Sequence, residues 1–284
     1  MVSKALLVVI CLVSFSIDIV TQPESRFECF VLGRAQDGGM PHLGCEKQCC
    51  AEARTLGIEE YPACLGIHDT KTGKLLLIEA TPAIEKQISQ LHKLSGVTER
   101  GRQPIDALLL THAHIGHYAG LIQLGREVAS TKEIPTYVTK RMAHFLTTNG
   151  PWSQLVELNQ IQIHIIPDTN PLSTTFSPLE GLEVEAIKVP HRDEFSDTVA
   201  FKIHGPNQTV LFVPDIDRWE GNENLLQQLL AEIDVAYIDA TFYDGRELPG
   251  RDMTKIPHPM TIDTMKLLSK YATEHPGAIR FIQL

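Results

Sequence analysis

The sequence predicts an α/β protein built from two mixed sheets with helices on their outer faces. Short β-rich runs alternate with helical patterns along the chain after about residue 25. Hairpin-type turns, Asp69-Thr70-Lys71-Thr72-Gly73 and Gly205-Pro206-Asn207, join strand pairs in both halves, while helices separate the other strands. Apolar residues make up 43% of the chain and charged residues 21%, enough of each for a buried core and a soluble surface.

In chain order the β-rich runs are Phe27 to Leu32, Cys64 to His68, Lys74 to Glu79, Ala107 to Leu110 and Thr136 to Thr139, then Gln162 to Ile166, Leu182 to Val189, Thr198 to Ile203, Thr209 to Val213 and Val235 to Ile238. Helical periodicity falls on Ala83 to Leu94, His117 to Gly125, Lys140 to Thr148, Glu223 to Ala231 and Thr261 to Thr273, the last opened by Pro259 and a threonine cap. No internal repeat or Pro/Gly-rich linker divides the chain, so residues 26–284 read as one domain.

Residues 1–22 read as a signal peptide. Lys4 precedes the apolar run Ala5 to Val13, which is too short to span a bilayer and has the length of a signal core. The expectation is a secreted protein, or a lumenal or periplasmic one, and the sequon Asn207-Gln208-Thr209 is compatible with such a route. Removing Cys11 with the signal leaves Cys29, Cys45, Cys49, Cys50 and Cys64, an odd number that excludes a complete intrachain disulfide set. A formal charge of -10 argues against a nucleic-acid polymer as partner and leaves a small-molecule substrate as the expectation.

The segment Leu108-Leu109-Leu110-Thr111-His112-Ala113-His114-Ile115-Gly116-His117 runs from an apolar strand straight into three histidines. Residues two apart on extended chain point the same way, so His112 and His114 can present imidazoles to one ion. A turn beginning near Gly116 returns His117 toward the same pocket. Two more apolar strands stop at a proline followed by a ligand-capable side chain, Val189-Pro190-His191 and Val213-Pro214-Asp215. Asp217 reads as the cap of the helix that follows.

This pattern resembles the metallo-β-lactamase superfamily over roughly residues 27 to 284. More narrowly, Gly33-Arg34-Ala35-Gln36-Asp37-Gly38-Gly39-Met40-Pro41-His42, followed by Cys45 and Cys49-Cys50, is similar to the branch containing coenzyme PQQ synthesis protein B and a phosphonate-pathway phosphodiesterase. The resemblance implies an αββα four-layer sandwich with the metal centre at the sheet edges. It places Glu79 where the superfamily has a buried Asp supporting the metal loop. Two positions depart from the pattern: Gly116 stands where an acid is usual, and Gln283 stands at or just short of the last histidine ligand of the final strand, where the chain ends. Both losses fall on the second metal site, which keeps His117 and a shared Asp215. The expectation is one tightly bound Zn2+ on His112, His114, His191 and Asp215, with a second metal weak or absent. The branch also holds a structural zinc on cysteines after its Gly-rich loop. Here Cys45, Cys49 and Cys50 would either share such an ion, with His42 or His258 as nitrogen donor, or contribute to a disulfide with Cys29 or Cys64.

The functional expectation is a metal-dependent hydrolase using zinc-bound hydroxide on an ester, phosphodiester or related bond. Asp215 would orient the water or accept its proton, and His117 would serve as general acid or base. Arg192 would steady an anionic group and His258, rigidly flanked by prolines, would line the pocket. The alternative is a metal-binding or regulatory protein on the same fold with catalysis reduced by the two losses.

Overall fold

Strand polarity in both halves follows from where the chain uses a tight turn and where it uses a helix, since only a helical crossover returns the chain parallel. The computed structural model describes residues 25–167, 173–252 and 255–284, so the signal read at residues 1–22 lies outside the described residues. The first sheet has the order β1-β2-β3-β4-β5-β6, from β1 (Phe27–Gly33), β2 (Cys64–Asp69), β3 (Lys74–Ile78), β4 (Ala107–Leu109), β5 (Ile134–Val138) and β6 (Ile161–Ile165). β1 to β3 form an antiparallel meander, and β3 to β6 are parallel. The second sheet repeats this plan: β7 (Ser173–Leu179), β8 (Leu182–Val189), β9 (Thr198–His204) and β10 (Thr209–Val213) are antiparallel, then β11 (Val235–Asp239) and β12 (Ile279–Ile282) add in parallel.

The alternation of side chains along each strand sorts the core into three layers. Leu65, Ile67, Leu76, Ile78, Leu109, Phe201 and Phe212 pack between the two sheets. Leu75, Leu77 and Leu108, on the opposite faces of β3 and β4, pack outward against Ile84, Ile88 and Leu91 of α2 (Ile84–Ser95) and Met142 and Leu146 of α4 (Lys140–Thr148). On the far side Leu211 and Val213 meet Leu226, Leu229 and Leu230 of α6 (Glu223–Leu230). The result is the αββα sandwich that the resemblance implies, and both hairpin turns join the strands expected of them, β2 to β3 and β9 to β10. Among the described residues no helix is long and apolar enough to cross a membrane.

Several local expectations need correction. The helical run at His117 to Gly125 begins earlier, as α3 (Ile115–Tyr118), and tightens to a 3-10 turn over Ala119–Leu124. The run at Thr261 to Thr273 divides at Leu268 into α7 (Thr261–Leu267) and α8 (Ser269–Glu274). Its threonine is no cap: Met260 holds that position, and the Thr261 hydroxyl donates to Phe242 O. The strand and helix runs read from periodicity lack α1 (Gln48–Leu56), α5 (Trp152–Glu157), the edge strand β7 and β12, the last of which entered only as the final strand that the resemblance implies.

Candidate metal centre

Strands β8 and β10 run parallel to each other, as do β1 and β3, so the side chains that follow β3, β4, β8, β10, β11 and β12 gather at carboxyl ends of strands. Such ends are where layered α/β folds bind ligands. The two sheets are stitched together there: Val199 N donates to Thr111 O and Ala113 N donates to Ser196 Oγ.

His112, His114, His191 and Asp215 present one ligand atom each to a common point. His112 Nε2 lies 2.9 Å from His114 Nδ1, and His191 Nε2 lies 3.2 Å from that same atom. Asp215 Oδ2 stands 3.0 Å from His112 Nε2 and 3.6 Å from His191 Nε2. Ligand nitrogens about 2 Å from a tetrahedral zinc are roughly 3.3 Å apart, so the spacing fits the ion.

The outer partners decide which nitrogens face inward. The Thr111 hydroxyl donates to Glu79 Oε1, which leaves its oxygen to accept from His112 Nδ1 at 2.9 Å. His191 Nδ1 donates to Asp217 Oδ1 at 3.1 Å, and His114 Nε2 donates to Glu194 Oε2 at 3.1 Å. Each ring therefore keeps its proton on the outside, and three bare lone pairs face one another. Without a cation that arrangement is repulsive; with one it is a ligand set whose tautomers are fixed by second partners. Burial keeps all three rings neutral: it pulls His112 down to about 4 and His191 down to about 2, and it lowers His114 as well. Asp215 is lowered too, against burial: desolvation favours its neutral form, but the charge of His117 and the contacts with His112 hold it well below the usual carboxylate range.

His117 lies beside this set, 1% exposed, with Nε2 3.2 Å from Asp215 Oδ2 and 3.3 Å from Asp37 Oδ1, and Nδ1 3.4 Å from Glu79 Oε1. Burial disfavours its charge, yet the Asp215 and Glu79 carboxylates hold the imidazolium well above its ordinary range. Glu79 is fully buried and takes a left-handed backbone with φ 81°. That unusual turn directs the chain from β3 beneath the histidine motif, and burial raises its carboxyl against the opposing pull of His117. His258 Nδ1 donates to Asp239 Oδ2 at 2.8 Å, and its ring centre is 5.2 Å from that of His191. Burial lowers the His258 imidazole, but the Asp239 hydrogen bond and charge more than offset this and raise it.

Arg192 stands half exposed at the rim of the site, where its charge acts on His114 and His258 and Glu194 lies 4.0 Å away. Other predicted residues take different places. Asp217 is not a helix cap: it holds His191, and Asn222 stands at the start of α6. Cys45, Cys49 and Cys50 do not converge. Among the described residues no three of these sulfurs and histidine nitrogens lie within 4.8 Å of one another, and all five cysteines are free thiols. Neighbours on a helix point about 100° apart, so on α1 Cys50 turns inward while Cys49 faces solvent. Sequence reasoning missed Asp37 and Asp239 as site residues. Asp239 ends an apolar strand just as Asp215 follows one, and Asp37 stands in the quoted Gly-rich segment.

A family model for the beta-lactamase superfamily domain matches residues 75–275. The chain belongs to this superfamily. Coenzyme PQQ synthesis protein B of Methylobacterium nodulans is 26% identical over 251 residues, covering 80% of this chain and 76% of that protein. The crystal structure of Zn(2+)-bound PqqB from Methylobacterium extorquens superposes with a TM-score of 0.68 at 22% identity, covering 90% of this chain and 88% of that one. A diphosphatase from the PhnP family superposes with a TM-score of 0.60 at 17% identity, covering 90% and 85%. At these identities the superpositions speak for the metallo-β-lactamase fold, and the His/Asp cluster described above marks where a metal cofactor would sit.

Proposed function

We propose that this chain is a zinc-dependent hydrolase that cleaves a phosphodiester or ester bond in a small-molecule substrate. The observation that carries the reading is the convergence of three histidine lone pairs and Asp215 in a buried site whose outer hydrogen bonds fix every tautomer. Zinc held by His112, His114, His191 and Asp215 would lower the pKa of water from about 16 to near 7 and would polarise a carbonyl or phosphoryl oxygen. Asp215 Oδ1, buried and without a hydrogen-bond partner, is free to take a proton from the attacking water.

The proton for the leaving group comes from His258 in this reading. The sequence assigned general acid work to His117, but that ring is sealed beneath the motif, whereas His258 is partly open and steadied through Nδ1 by Asp239. Its Nε2–H remains available to a departing alkoxide. A zinc-bound PqqB and a PhnP-family diphosphatase on the same fold support both the metal and a phosphoryl substrate. The formal charge of -10 favours a small substrate over a polyanion. Export through residues 1–22 belongs to the same proposal, and the N-terminal sequence of the mature chain checks it.

The test is turnover of bis(p-nitrophenyl) phosphate and p-nitrophenyl esters by the zinc-loaded protein, with metal content measured alongside. His112→Ala or His191→Ala should remove most of the tightly bound zinc and the turnover together. Stoichiometric zinc without turnover of any phosphoester or ester in a broad panel would overturn the hydrolase assignment and leave a metal-binding protein.

A further inference from the structure

We infer that the chain binds a medium-chain alkyl carboxylate in a cleft between the two sheets, at the end of the sandwich opposite the metal centre. The cavity there has a volume of about 310 Å³, and ligand sites commonly begin at about 300 Å³. Val210 and Val235, at the starts of β10 and β11, line it, whereas Asp215 lies beyond the far end of β10 and Asp239 closes β11. At about 3.3 Å per residue the cleft and the metal centre are about 15 Å apart.

Side-chain alternation makes this space part of the core, yet it is left open. On β1, the edge of the first sheet, Phe27 and Val31 pack against the cluster between the sheets, and Cys29 shares their face and pairs with Ile67 of that cluster. Cys29 is nevertheless exposed. On β12, the edge of the second sheet, Ile282 is buried in the same cluster, and Arg280, two residues earlier, shares its face and pairs with Tyr237. Two inward positions at facing edges thus carry a short thiol and an exposed cation, and neither fills the gap. Behind them the walls are apolar: Phe27, Ile67, Leu182, Ile203, Val210 and Val235.

The mouth supplies the charge. Arg280 Nη1 donates to the Tyr237 hydroxyl at 3.2 Å, and among the described residues no carboxylate pairs with the guanidinium. The neighbouring acid, Glu28, is engaged by His68, whose Nδ1 lies 2.9 Å from Glu28 Oε2. An inward arginine also keeps an edge strand from pairing with another chain, but that task needs no cavity behind it. A guanidinium at the mouth of an apolar cleft matches a ligand with a carboxylate head, which it can bind through two donors, and a hydrocarbon tail. If a methylene takes about the space of a water molecule, about 30 Å³, the cleft has room for roughly ten heavy atoms, the size of octanoate.

The test is calorimetric titration of the full chain, zinc-loaded and zinc-free, with sodium octanoate, sodium hexanoate and 1-octanol. Octanoate should bind one to one and equally in both forms. Hexanoate, two methylenes shorter, should bind about 10-fold more weakly, and octanol, which lacks the anion, should also lose about 10-fold. Arg280→Met should bring octanoate down to the octanol affinity and leave octanol unchanged. Cys29→Trp, which fills the cleft from an exposed position, should abolish binding of both. Should that variant misfold, Val235→Phe on the other wall reads the same loss. Absence of saturable octanoate binding, or an octanoate affinity that Arg280→Met leaves intact, overturns the inference. Binding that disappears with the zinc would put the carboxylate on the metal and overturn it too. The hydrolase reading uses none of these residues and stands or falls separately.

Discussion

The His258 side chain is set apart from the other histidines of the site by what it touches. The three ligand rings turn their bare nitrogens inward, whereas His258 spends Nδ1 on Asp239 and keeps a second N–H for an outside acceptor. A positioned acid matters most when the departing oxygen is a poor leaving group. His258→Ala should therefore lower turnover of an alkyl phosphodiester by about 10²-fold, while barely slowing a p-nitrophenyl diester and leaving the tight zinc in place. Equal losses on both substrates, or loss of the zinc, would show that His258 only supports the site. The four atoms of the tight centre were legible in sequence because each ligand follows an apolar strand that ends abruptly, a pattern short-range periodicity reveals. Asp37 was not legible. Its contacts with Gly116 and with Gln283, 246 positions away in the chain, are long-range juxtapositions that only the sandwich creates.

At the scale of elements, the β2–β3 hairpin shows how a turn motif can carry stability. Asp69 accepts from Lys71 N and the Thr72 hydroxyl within the turn and from Arg26 Nε and Nη2 across it. Burial favours the neutral acid, but the Arg26 pair and the turn donors outweigh it and hold the carboxyl at about 2. A native value below the ordinary one stabilises the fold above about pH 4, and that contribution is lost as pH falls toward 2. Asp69→Asn should cost on the order of 1–2 kcal/mol at pH 6, the gap narrowing as pH falls below about 4 and closing only below about pH 2. Urea midpoints of the two proteins across that range provide the check, and a gap independent of pH would refute the ionic account. The hairpin was readable because its turn residues sit between two apolar runs. The elements that escaped the sequence reading lack that contrast. β7 contains Pro178 and several hydroxyl residues, the marks of an edge strand, while α1 buries only Cys50 and Ala53. Thr261 reads as a cap in sequence, but its hydroxyl donates to Phe242 O, a partner that no local pattern displays.

Across the whole molecule, the metal centre is where two similar halves meet. Each half is an antiparallel meander followed by parallel strands, and each sends its ligands from carboxyl ends: His112 and His114 from the first sheet, His191 and Asp215 from the second. A cation at that point ties the sheets together beside the Val199–Thr111 and Ala113–Ser196 hydrogen bonds. The unfolded chain scatters these ligands over about a hundred residues and has little affinity for the ion, so binding energy adds directly to folding. At free zinc a thousandfold above the dissociation constant this amounts to about 4 kcal/mol. For a domain of this size the corresponding change in Tm is on the order of 10 °C. Chelation should thus lower the melting temperature by about that much, and readdition of zinc should restore it. His191→Ala, which cuts the second sheet's nitrogen ligand from the centre, should melt near the chelated value with or without zinc. A wild type whose melting temperature ignores chelation despite proven removal of the metal would show that the sheets hold together without it. In that case the lone pairs facing one another would have to be separated by protons, and the tautomers assigned from Thr111, Asp217 and Glu194 would be wrong.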